Sequence, residues 1–157
     1  MEEDKRIKEA INLMAEHERV IGELYRTYAN LFGDKDFWMG LANEEDLHAK
    51  WLLSFFENVY NGKVQLGDSY NREAVWQSIK HVKNLIKDAP NYGKNMAVAY
   101  AFAIENTVLE KDFINIFDEN EPAVQEILIR LTKGTQSHRD RIEAKFITLL
   151  RDIPKNA

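Results

Sequence analysis

The chain has 157 residues, 45% of them apolar and 30% charged, with a formal net charge of −5 and no cysteine. This length and composition describe one globular domain, residues 1–157, able to bury its own core. The acidic balance and the lack of a clustered Lys/Arg patch argue against nucleic acid as a partner, and the absent cysteines exclude disulfides and cysteine-ligated metal centres. No run of about 18 apolar residues is available to cross a membrane. The charged opening Met1-Glu2-Glu3-Asp4-Lys5-Arg6 lacks the apolar stretch of a signal peptide, so a cytoplasmic protein is expected.

In chain order, the spacing predicts a first helix over 3–32, ended by Gly33, with Asp34 as N-cap of the next. The second helix is expected over 35–60, closed by Asn61-Gly62. After a polar stretch, 63–70, a shorter helix over 71–89 carries Val75, Ile79, Val82 and Ile86 on one face, and Pro90 and Asn91-Tyr92-Gly93 end it. A third long helix is predicted over 94–118, and a fourth from Pro122 to about 153, before Pro154. No segment sustains a period-two alternation, so the fold class is all-α. The links between the first and second and between the third and fourth long helices are short, which makes two antiparallel hairpins. The long middle connection, with its own short helix, gives a four-helix bundle of up-down-down-up connectivity with one crossover, as in ferritin-like folds.

Bundle helices bury residues spaced alternately three and four apart. The first helix then buries Ile7, Ile11, Met14, Glu18, Ile21, Tyr25, Tyr28 and Phe32. The second buries Trp38, Leu41, Glu45, His48, Leu52, Phe55 and Val59. The third buries Val98, Phe102, Glu105, Leu109, Phe113 and Ile116. The fourth buries Val124, Leu128, Leu131, Thr135, His138 and Ile142, then Phe146 and Leu149. Each stripe is apolar at its ends and polar near its middle. A buried carboxylate without a partner costs several kcal/mol, and no Lys or Arg lies on the stripes to neutralise Glu18, Glu45 and Glu105. One or two divalent cations would do so. Carboxylate and imidazole donors suit iron, manganese or zinc. The alternative is a hydrogen-bonded polar layer that includes Thr135. His17 and His81 lie off the stripes and are expected to be exposed. Gly134, inside a helix, costs about 1 kcal/mol relative to alanine and points to close packing or a local bulge.

The two halves of the chain also resemble each other. Leu41-Ala42-Asn43-Glu44-Glu45-Asp46-Leu47-His48 aligns with Leu131-Thr132-Lys133-Gly134-Thr135-Gln136-Ser137-His138, and Glu18 then matches Glu105. Glu18 followed by Glu45-x-x-His48, then Glu105 followed by His138, resembles the rubrerythrin and ferritin-like di-iron carboxylate family, over nearly the whole chain. That resemblance implies Glu18 and His48 on one ion, Glu105 and His138 on the other, Glu45 as a bridge and Tyr25 as a neighbour of the centre. It implies an iron site that reacts with peroxide or dioxygen, served by an external electron donor and carried on a homodimer, to which an exposed Trp76 would contribute. Two departures stand out: Thr135 where the pattern has Glu, and Val108 where rubrerythrins have a further third-helix Glu. They leave three readings open: a rubrerythrin-like oxidoreductase, a non-catalytic metal-binding or storage protein, and a structural or interaction bundle with a vestigial site.

Overall fold

The computed structural model describes residues 2–55, 65–67, 70–107, 117–118 and 122–152. It is mostly helical: α1 (Glu2–Phe32), α2 (Lys35–Leu53), α3 (Arg72–Asp88), α4 (Lys94–Glu105) and α5 (Pro122–Arg151), with a 3-10 turn at Ala89–Asn91. No described helix is long and apolar enough to cross a membrane.

α1 turns back on α2 through Gly33 and Asp34, both with positive φ, at 78° and 50°. Asp34 occupies the N-cap position, as expected from the sequence, but its side chain does not cap. A capping side chain needs an extended backbone at that residue, whereas Asp34 is left-handed. Its carboxylate instead pairs with Lys145 of α5. Antiparallel packing of α1 on α2 brings Tyr28 edge-on to Trp38, with ring centroids 5.0 Å apart, and Gly22 against Ala42 and Glu45. α4 and α5 are likewise antiparallel, with Phe102 stacked on Phe146 at 5.8 Å. α2 lies against α5, and α3 covers another side of α1.

The stripe positions within the described residues are buried, apart from Phe32, Phe102, Phe146 and Leu149, which are partly covered. Val59, Asn61, Gly62, Val108, Leu109, Phe113, Ile116 and Pro154 lie outside the described residues. On α3, Val75, Ile79 and Val82 are buried, and Leu85 joins them ahead of the partly covered Ile86. Asn71 caps this helix through Oδ1, which accepts the Ala74 N–H at 3.0 Å. Trp76 is 41% exposed, with the Lys80 ammonium 4.5 Å from its ring centroid.

Three expectations need correction. The second helix, expected over 35–60, ends at Leu53, with Ser54 as its C-cap. His17 is not exposed: it is fully buried beneath α3, and its Nε2 is 2.7 Å from Ser78 Oγ. α3 packs on a face of α1 that a single-stripe reading leaves to solvent; His81, by contrast, is exposed. The third long helix does not continue to 118. It stops at Glu105, where Asn106 Nδ2 donates to Phe102 O at 2.7 Å and Thr107 Oγ1 to Ile104 O at 2.8 Å. Short polar side chains of this kind compete with the helical ladder. Beyond it, Phe117 and Asp118 pair antiparallel with Leu66 and Gln65, and Phe117 buries its ring edge-on to Phe55 at 5.4 Å.

Candidate metal centre

Glu45 and His48 lie three residues apart on α2, one turn of the same face, and both are buried. α5 brings His138 to them. His138 Nδ1 is 2.8 Å from Glu45 Oε1, and His48 Nδ1 is 3.4 Å from Glu45 Oε2. One donor atom from each of the three residues falls within 4.8 Å of the others, so this buried group could hold a metal ion. Metal bonds of about 2.0–2.2 Å place tetrahedral donors about 3.4 Å apart, close to the two separations made by Glu45.

Glu105, the last residue of α4, adds a second carboxylate. Its Oε1 is 3.4 Å from His138 Nδ1 and accepts a hydrogen bond from the Tyr25 hydroxyl at 2.6 Å. An anion at a helix C-terminus meets the negative end of the helix dipole, so Glu105 needs these partners. Glu18 is fully buried on α1 but stands outside the three-residue donor group. His138 lies beside Glu105, and both imidazoles approach Glu45, the residue expected to stand between the two halves. Thr135 is buried one turn before His138, and its Oγ1 has no hydrogen-bond partner among the described residues. The same holds for Glu105 Oε2 and His48 Nδ1. Buried polar atoms left in this way, on carboxylate and imidazole donors, fit a cation.

Several residues around the centre escape a reading by stripes. Glu44 Oε2 lies 3.3 Å from His138 Nε2, the nitrogen turned away from Glu45, and Arg141 holds Glu44 at 2.5 Å. A carboxylate on the far nitrogen of a metal-ligating histidine fixes its tautomer and orientation. The only signal for it is the acidic doublet Glu44-Glu45, which also reads as a solvated helix face. Trp51 stacks on His48 at 5.5 Å, and His48 stacks on His138 at 5.1 Å. Two in-helix glycines flank the ligand-bearing turn. A Cβ at Gly22 would sit 3.3 Å from Ala42 O and 3.4 Å from Glu45 Cβ, and one at Gly134 would meet the His48 ring.

The charges are set by burial and by these partners. Burial drives His48 down to a pKa of about 4, with the charge of His138 adding to it. Burial also opposes a proton on His138, but the hydrogen bond and charge of Glu105 outweigh it and raise the pKa. Burial would raise Glu105, yet His138 and then Tyr25 hold its carboxyl below the ordinary range. In the metal-free protein burial therefore favours the neutral form of His48, while Glu105 favours on His138 a proton that a metal must displace.

A stability consequence follows. Unfolded, His48 takes its proton near 6.5; folded, only near 4. As pH falls through that window the unfolded chain binds the extra proton, and the metal-free protein loses about 3 kcal/mol. The raised His138 acts above that window, and the lowered Glu105 from its lower end, about 4.5, downward, in wild type and variant alike. Urea unfolding of the metal-free protein at pH 6.5 and 4 is expected to give a steeper decline for wild type than for His48→Gln. Equal slopes would contradict this assignment.

Comparison with protein families, with curated proteins and with solved structures finds no match to the chain, so the reading of this centre rests on the residues and geometry described above.

Proposed function

We propose that the chain is a metal-binding four-helix bundle of ferritin-like architecture, holding one or two divalent ions, iron foremost, at Glu45, His48 and His138, with Glu105 and Glu18 beside them. The observation that carries this reading is the convergence of three buried donor residues from two helices within 4.8 Å. A buried carboxylate facing two imidazoles is costly without a cation. The order of two antiparallel hairpins joined through α3 supports the ferritin-like reading.

Bound iron would supply a Lewis acid and a source of electrons for a small oxidant, peroxide or dioxygen. The chain's own part is to prepare the donors. Burial keeps His48 neutral, Tyr25 orients Glu105, Glu44 backs His138, and Trp51 covers one face of His48. A second reading, non-catalytic metal binding or storage, is favoured by Thr135, which offers no anionic donor where the resembling family has Glu.

Anaerobic loading of the metal-free protein with Fe²⁺, followed by peroxide or oxygen, separates the two. One or two irons per chain, oxidised stoichiometrically on challenge, are expected. Bound iron that never oxidises would leave storage as the function. Less than about 0.2 iron per chain, with manganese and zinc equally absent, would remove both readings.

A further inference from the structure

Among the described glycines, Gly134 is set apart by what fills the place of its missing side chain. Gly40 and Gly93 face open space and Gly33 has a left-handed backbone, whereas a Cβ at Gly134 would lie 2.4 Å from His48 Nε2 and 2.9 Å from Cε1. Its φ is not positive, so the α5 backbone there suits any residue and the requirement is one of space. We infer that Gly134 is the positioning residue for His48: it admits the imidazole against the α5 backbone in the rotation that places Nδ1 3.4 Å from Glu45 Oε2.

To admit a methyl group at 134, the His48 ring or the α5 backbone must shift. Trp51 lies against one face and His138 stacks on the ring at 5.1 Å, with interplanar angles of 30° and 25°. Both rings crowd the imidazole, and rotation in its own plane carries Nδ1 away from its place 3.4 Å from Glu45 Oε2. Donor atoms held by packing in this way reach the metal without reorganising. The functional meaning of the inference rests on the metal-centre reading; the contact itself rests on geometry alone.

A double-mutant cycle tests it. In metal-free protein, Gly134→Ala is expected to lower the urea midpoint when His48 is present. In a His48→Ala background the same substitution is expected to raise it, because alanine is the better helix former. With zinc as the probe, Gly134→Ala should weaken binding at least tenfold in the wild-type background and leave the residual binding of His48→Ala unchanged. The same sign of stability change in both backgrounds, or wild-type zinc affinity in Gly134→Ala, would overturn the inference. If Gly134→Ala alone does not fold, the double variant must fold, and its failure to do so would overturn it too. Absence of zinc binding by the wild-type protein would instead strike the metal-centre reading, and the stability cycle would still decide the contact.

Discussion

Glu45→Gln is expected to weaken metal binding by at least about 100-fold while leaving the metal-free protein as stable as wild type, or more so. Glu45 is approached by both imidazoles, at 2.8 Å and 3.4 Å. Disturbing a group that merely orients a ligand costs 10–100-fold in affinity (roughly, by precedent), and removing the shared donor should cost no less. The amide keeps the shape of the carboxylate and can still accept a hydrogen bond from His138, but it removes a buried ion whose desolvation costs several kcal/mol. Opposite signs for affinity and stability are the mark of a residue kept for binding. Titration against a chromophoric chelator, with urea unfolding of the same samples, reads both. Unchanged affinity would remove Glu45 from the site, and a collapse of metal-free stability would make its role structural.

A saturating divalent metal is expected to raise the melting temperature by about 8–16 °C. A ligand that binds only the folded chain at about 1,000 times its Kd adds about 4 kcal/mol, and at this chain length each kcal/mol moves the midpoint by about 2–4 °C. A chelator should reverse the rise, and His48→Ala should abolish most of it. Binding should also release protons, because Glu105 raises the affinity of His138 for a proton that the metal must displace. Trp38, Trp51 and Trp76 supply a fluorescence signal for the transition. An equal rise in wild type and His48→Ala would place the metal elsewhere, on surface carboxylates.

What the sequence makes legible is the depth of each polar residue. A three-four spacing fixes which side of a helix faces inward, and Glu18, Glu45, His48, Glu105, Thr135 and His138 are all buried where that spacing puts them. Contacts between helices are not encoded in spacing along one of them. His17 is one residue off its stripe and reads as exposed until α3 is laid over it. Gly134 reads as a costly helix position that points to close packing or a bulge, but its partner, His48, shows only once α2 lies against α5. Glu44 and Arg141 look like solvated charges until the α2–α5 register sets them behind His138. The approach of both His48 and His138 to Glu45 depends on the rotation of α5 against α2, which no single stripe defines. The early end of α4 was locally visible, since Asn106-Thr107 can take up the last carbonyls, but the apolar residues beyond them continue the helical period. The two-residue pairing of Leu66 with Phe117 is too short for any periodicity to reveal.

The most direct measurement is an anomalous difference map from crystals of metal-loaded protein, recorded on both sides of the absorption edge of the metal added. The account predicts a peak inside the helices, about 2.0–2.2 Å from an oxygen of Glu45 and from Nδ1 of His48 and of His138. Saturating metal with no peak there, or with peaks only at exposed carboxylates, would contradict it.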